Sequence, residues 1–143
     1  MADRNLTHYI IIRRDLPFGA IVVNVAHAAG ESFYQFAHHA GVAQSQSDGR
    51  ASVPEVGSSR LPTGSIPIDR TTAVILGARN EAKLLRLEQA LIEYGFPHLA
   101  IREPDAPYDG ALMAIGLEPT VRVVNGVLDL FLNQFQLFRD LQP

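Results

Sequence analysis

YIIIRRDLPFGAIVVNVAHAA, residues 9–29, passes from an apolar run through a charged corner and a tight turn into a helix. Tyr9 to Ile12 is apolar and mostly β-branched, the pattern of a strand buried on both faces. Arg13, Arg14 and Asp15 end it, and Pro17 and Gly19 break the chain before a helix read from Ala20 to His39. In α/β proteins ligand sites gather at such carboxyl ends of strands. Ala26, Ala28, Ala29 and Gly30 form a small-residue band for close packing on a sheet, with Val22, Val23, Phe33 and Phe36 supplying bulk. Asn24, His27 and Glu31 are three and four apart, the spacing of one helix face.

Outward from this stretch, Gly41 to Arg70 is rich in Ser, Gly and Pro and has no sustained period, so it reads as a long loop or insertion with a short helical turn near its start. Thr72 to Gly77 is a second buried strand. Asn80 can cap a helix over Glu81 to Tyr94, where Leu84, Leu87 (or Leu85) and Leu91 recur at helical spacing and Gly95 follows as the terminating residue. Pro97 to Arg102 and Ala111 to Gly116 are further strands joined by a turn-rich segment, which predicts a hairpin. Pro119 opens a C-terminal helix with Val121, Val124, Leu128 and Phe131 or Leu132 on its inner face; Phe135 to Leu141 is a helix end or a short edge strand. The expected fold is a single α/β domain over residues 1–143, a four-stranded mixed sheet flanked by helices in the order β-α-loop-β-α-β-β-α. The crossovers make the first three strands candidates for parallel pairing.

The chain's 143 residues suffice for a sizeable core, and the absence of cysteine excludes disulfides, thiolate metal sites and cysteine nucleophiles. No run approaches the roughly 18 apolar residues of a membrane span, and no signal-peptide pattern is present, so a cytoplasmic protein without a membrane partner is expected. The net charge of −3, with Lys83 the one lysine, argues weakly against a nucleic-acid partner, although Arg13, Arg14 and Arg102 allow a local patch. Phosphate loops, zinc spacings and nucleophile elbows are absent. What remains is a set of polar groups at strand ends and on the first helix: Arg14 and Asp15, Arg102 and Glu103, Asn24 and His27. His27 suits general acid–base work or a buried neutral role on the sheet, Asp15 a base or a cap, and Asn24 the orientation of a substrate carbonyl or of a strand end.

Three segments carry a family resemblance. IIRRDLPFGAIVVNVAHAA resembles the first strand and helix of the type II peptidyl-tRNA hydrolases, with Arg13-Arg14-Asp15-Leu16, Gly19 and Asn24-Val25-Ala26-His27-Ala28 at the family's Arg-x-Asp-Leu corner, glycine and Gln-Cys-Ala-His-Ala-like run. NEAKLLRLEQALIEYGFPHLAIRE is similar to the family's next helix and third strand, and ALMAIGLEP to its following strand. The tail NQFQLFRDL is similar to that of eukaryotic hydrolase-like members. The resemblance covers most of the chain outside Gly41 to Arg70 and implies cleavage of the ester joining peptide to tRNA, without metal or organic cofactor. It also implies a lysine before the first helix, an aspartate after the third strand and a threonine opening the fourth. Ala20, Glu103 and Ala111 stand there instead, and Asn24 replaces a glutamine.

Two functions follow as expectations. One is hydrolysis of peptidyl-tRNA or a related acyl ester, with His27, Asp15 and Glu103 catalytic, Glu103 or His27 activating water, and Arg14, Asn24, Arg102 and Gly19 binding. The other is a catalytically inactive member of the superfamily that binds a small molecule or protein partner. A homodimer through the apolar C-terminal helix is a further expectation.

Overall fold

The structure, a computed structural model, describes residues 5–47 and 71–138, with side chains over 5–36 and 71–138. Eight elements follow in order: β1 (Leu6–Arg13), α1 (Phe18–Ser47), β2 (Thr71–Ala78), α2 (Glu81–Tyr94), β3 (His98–Glu103), β4 (Ala111–Leu117), α3 (Val127–Leu132) and β5 (Gln136–Leu137). Among the described residues the sheet has five strands rather than the expected four, in the order β3-β4-β1-β2-β5. β1 is central, and its apolar run is buried on both faces as its continuity predicts. Tyr9 and Ile11 enter a cluster with Leu84, Leu87 and Leu91 of α2, while Ile10 and Ile12 enter a second with Ile21 and Ala28 of α1.

β1 runs parallel to β2, with Leu6 opposite Thr71 and Arg13 opposite Ala78. β3 is not a parallel neighbour of β1 or β2: it lies at the sheet edge, antiparallel to β4, and β4 occupies the place beside β1 with Ile10 opposite Gly116. The short β3–β4 connection dictates this, because a hairpin forces antiparallel pairing and leaves only one member free to meet β1.

α2 has the expected bounds. The Asn80 side chain accepts the Lys83 N–H at 3.0 Å, and Gly95 closes the helix at φ 72, a left-handed value that costs glycine little. α1 is longer than expected and continues to Ser47, into the stretch read as loop; residues 48–70 of that stretch lie outside the described residues. Its buried face is Ile21, Asn24, Ala28 and Ser32, spaced by threes and fours. Ala26, His27, Gly30 and Glu31 fall off that face and are exposed, as are Val22, Val23 and Phe33. At Ser32 the helix approaches closely enough that a Cβ on Gly116 would lie 2.5 Å from Ser32 Oγ and 2.6 Å from the Ala28 carbonyl oxygen.

The helix expected from Pro119 is a correction. Residues 118–126 are irregular, Thr7 and Thr120 bridge the segment to β1, and the helix shortens to Val127–Leu132. Asn125 sits at φ 60 and Gly126 precedes the helix as its N-cap, so the Asn-Gly pair turns the chain where valine spacing alone suggests continuity. The tail is the short strand β5, paired with β2 through Leu76–Leu137 and Gly77–Gln136. Among the described residues no helix is long and apolar enough to cross a membrane.

Candidate functional site

At the carboxyl end of β1 the alternation of side chains puts Arg13 on the α2 side of the sheet. Its Nε and Nη2 donate to Asp15 Oδ1 and Oδ2 at 2.9 and 3.0 Å, and Nη1 donates to the Leu112 carbonyl at 3.3 Å. The fork is bidentate, the geometry that suits a planar guanidinium and a carboxylate. Donating to Asp15 raises the already high Arg13 pKa, against the opposing effect of burial. Glu81, first residue of α2, accepts the Leu112 N–H at 2.8 Å, so the Leu112 peptide is held by Arg13 on one side and Glu81 on the other. This corner locks β1, β4 and α2 together, and both oxygens of Asp15 are engaged in it.

The other expected residues have separate partners. Arg14 Nη1 donates to Gln136 Oε1 at 2.6 Å, clipping β5 to the sheet, and its stem lies where a Cβ on Gly77 would be, 2.7 Å from Arg14 Cγ and Cδ. Asn24 is buried and donates through Nδ2 to the Ala20 carbonyl at 2.8 Å, a bond within its own helix. Arg102 Nη2 donates to Glu88 Oε1 at 2.7 Å across β3 and α2. Glu103 Oε1 accepts the Asp105 N–H at 3.1 Å and so organises its own hairpin turn. Gly19 is exposed, with nothing within 4 Å of where a Cβ would stand. His27 is exposed on α1, which removes the buried role considered for it, and no hydrogen bond among the described residues joins it to Asp15 or Glu103. Asp15, Arg102 and Glu103 do share one end of the sheet, with β4 between their strands.

The buried histidine is His8, on the α1 side of β1. Its Nε2 lies 2.7 Å from Ser32 Oγ, and that hydroxyl donates to the Ala28 carbonyl at 2.6 Å. Burial lowers the His8 pKa below 6.5, with the Leu117 backbone partly opposing. The unfolded chain therefore takes up a proton first as pH falls, and folding stability drops below about pH 6.5. We expect the melting temperature to fall between pH 7 and pH 5 less steeply in His8→Gln than in the wild type. Equal slopes in the two proteins would rule this out.

The opposite end of β1 holds a cavity of about 400 Å³, walled by Phe96, Leu117, Val121, Val127 and Leu128. A second space, of about 460 Å³, shares Tyr9, Arg122 and Asp129 with it and extends toward Thr72 and Leu137. Arg122 Nε and Nη2 donate to Asp129 Oδ1 and Oδ2 at 2.9 and 3.3 Å, and the Asn125 N–H donates to Oδ2 at 3.0 Å. Arg122 first, and then the Asn125 N–H, hold the Asp129 carboxyl below the usual carboxylate range. Tyr9 is 6% exposed, and its hydroxyl has no hydrogen-bond partner among the described residues. Among the described residues no fully enclosed side-chain polar atom lacks a partner, so that hydroxyl is not sealed off, and Tyr9 lines both spaces. Burial raises the Tyr9 pKa and keeps the phenol protonated, Arg122 opposing and Asp129 adding.

Sequence reading missed this site because it placed Arg122 and Asp129 on one continuous helix, where seven residues put side chains about 10 Å apart. The Asn125-Gly126 dipeptide, a turn signal, was the clue that the chain folds back between them. Among the described residues no group of three or more His, Asp or Glu side chains could hold a metal ion. Comparison with protein-family models gives no match, and comparison with curated proteins gives none either.

Proposed function

We propose that this domain binds a small molecule in the cavity beside Tyr9 and does not turn it over. The observation that carries the reading is Tyr9, a buried residue whose hydroxyl has no hydrogen-bond partner among the described residues, at the wall of a mostly apolar space of about 400 Å³. Ligand sites have this character: mostly apolar walls and a few polar groups that fix orientation. The β1 corner supports the same reading from the other side. Asp15 is spent on Arg13, His27 stands apart, and Ala20 and Ala111 occupy the positions where the resemblance implies lysine and threonine. An oxyanion-stabilising group of that kind is worth about 3 kcal/mol of barrier.

The runner-up is the ester hydrolase. Its support is that Asp15, Arg102 and Glu103 share one end of the sheet. One set of measurements separates the two. Incubation with peptidyl-tRNA is expected to release no peptide above buffer, while apolar fragments added to isotope-labelled protein shift the amide resonances of Leu117, Val121 and Val127. Saturable deacylation that His27→Ala or Glu103→Gln abolishes would sink the binding reading.

A further inference from the structure

Resting on the reading that the cavity is a ligand site, we infer that its ligand is a small neutral molecule with an apolar body and one carbonyl oxygen, which accepts a hydrogen bond from Tyr9. Charge comes first. Arg122 and Asp129 cancel each other in their paired fork, and Glu118 adds a negative charge at the rim. An anion entering here meets no uncompensated cation and would pay the cost of leaving water. A cation inside the space meets an Asp129 carboxylate that already accepts three hydrogen bonds, and Glu118 stands outside it on the exposed rim.

Of the remaining polar side chains that line the space, Tyr9 and Thr120 carry hydroxyls that donate or accept, and Arg122 only donates. Tyr9 carries a phenolic O–H, and Arg122 keeps N–H groups beyond the two used on Asp129, with no acceptor function of its own. Arg122 is close enough for its charge to act on the phenol. A carbonyl oxygen has two lone pairs and can take both donors. The walls then receive the apolar remainder: Phe96 and Leu128 among them offer aromatic and branched aliphatic surface. A space of about 400 Å³ is near the lower end of ligand sites and suits a molecule of fragment size.

The test uses the full chain and two probes of one shape, acetophenone and α-methylstyrene, in which a methylene replaces the carbonyl oxygen, with benzoate as the anionic counterpart. Dissociation constants come from chemical-shift titration of wild type and Tyr9→Phe. The hydroxyl makes no hydrogen bond among the described residues, so the variant is expected to melt at the wild-type temperature. Loss of one net hydrogen bond predicts that Tyr9→Phe weakens acetophenone about three- to tenfold and leaves α-methylstyrene within about twofold. Benzoate is expected to bind at least about tenfold more weakly than acetophenone, since its charge is left unpaired. Equal effects of the variant on both neutral probes, or tighter binding of benzoate, would overturn the carbonyl assignment while leaving the ligand site intact. Failure of every probe to move the resonances of the cavity walls would instead remove the ligand site, and this inference with it.

Discussion

Gly116→Val is expected to destabilise the protein by about 3 kcal/mol or more, near the upper end of the cost of overpacking a close-packed interior. A Cβ at Gly116 would stand 2.5 Å from Ser32 Oγ and 2.6 Å from the Ala28 carbonyl oxygen, and neither can withdraw. Ser32 is fully buried and bonded to His8, and the carbonyl is backbone in the middle of α1. The helix must lift from β4, which opens the cluster of Ile10, Ile12, Met113 and Ala114. Gly77 provides the contrast. The atoms a Cβ would meet there are Cγ and Cδ of Arg14, a side chain that can swing away, so Gly77→Ala is expected to cost far less. Gly30→Ala, in open space within α1, is expected to stabilise by about 0.5–1 kcal/mol. Urea denaturation of the three variants checks the ranking, and a Gly116→Val protein as stable as wild type would show that α1 does not sit this close to β4.

Leu87→Ala is expected to cost about 3 kcal/mol, within the range for removing a buried leucine side chain and leaving part of its volume empty. Leu87 is 1% exposed and belongs to the cluster that joins α2 to Tyr9, Ile11 and Ile115. For a chain of this size that is a fall of roughly 10 °C in melting temperature. Leu85, two residues earlier on the same helix, is 41% exposed, so Leu85→Ala is expected to change stability by less than about 1 kcal/mol. Calorimetry on both variants decides it: similar losses would mean that α2 does not present the face carrying Leu84, Leu87 and Leu91 to the sheet.

These two results concern features of different legibility. The leucine face of α2 could be read directly, because a helical period, a capping Asn80 and a terminating Gly95 all agree. β1 was equally plain, since four consecutive apolar residues demand cover on both faces. The place of β4 was not, because an apolar strand carries no record of which neighbour it joins. The close approach at Gly116 depends on that placement. In the C-terminal region local patterns conflicted: valines at helical spacing argued for one long helix, and Asn125-Gly126 argued for a break. The backbone followed the turn residues, since β-branched side chains favour helix only weakly. The candidate site divides in the same way. The neighbours Arg13 and Asp15 were visible, but their mutual engagement needed the fork geometry. Tyr9 was read only as the first residue of an apolar strand, and its role at a cavity wall depends on a segment whose path the sequence leaves ambiguous.

The central position of β1 has a consequence for how the protein comes off the ribosome. β1 is made before β4, and its register with β4 pairs Ile10 with Gly116, residues far apart along the chain. Until β4 has emerged, one edge of β1 lacks its hydrogen-bonding partner, and Ile10 and Ile12 lack the Met113 and Ala114 that share their cluster. Pairings between such distant segments form late, and strands waiting for them are exposed to aggregation. A nascent chain halted before β4 should therefore be held by general chaperones, and release from that hold should coincide with the synthesis of residues 111–117.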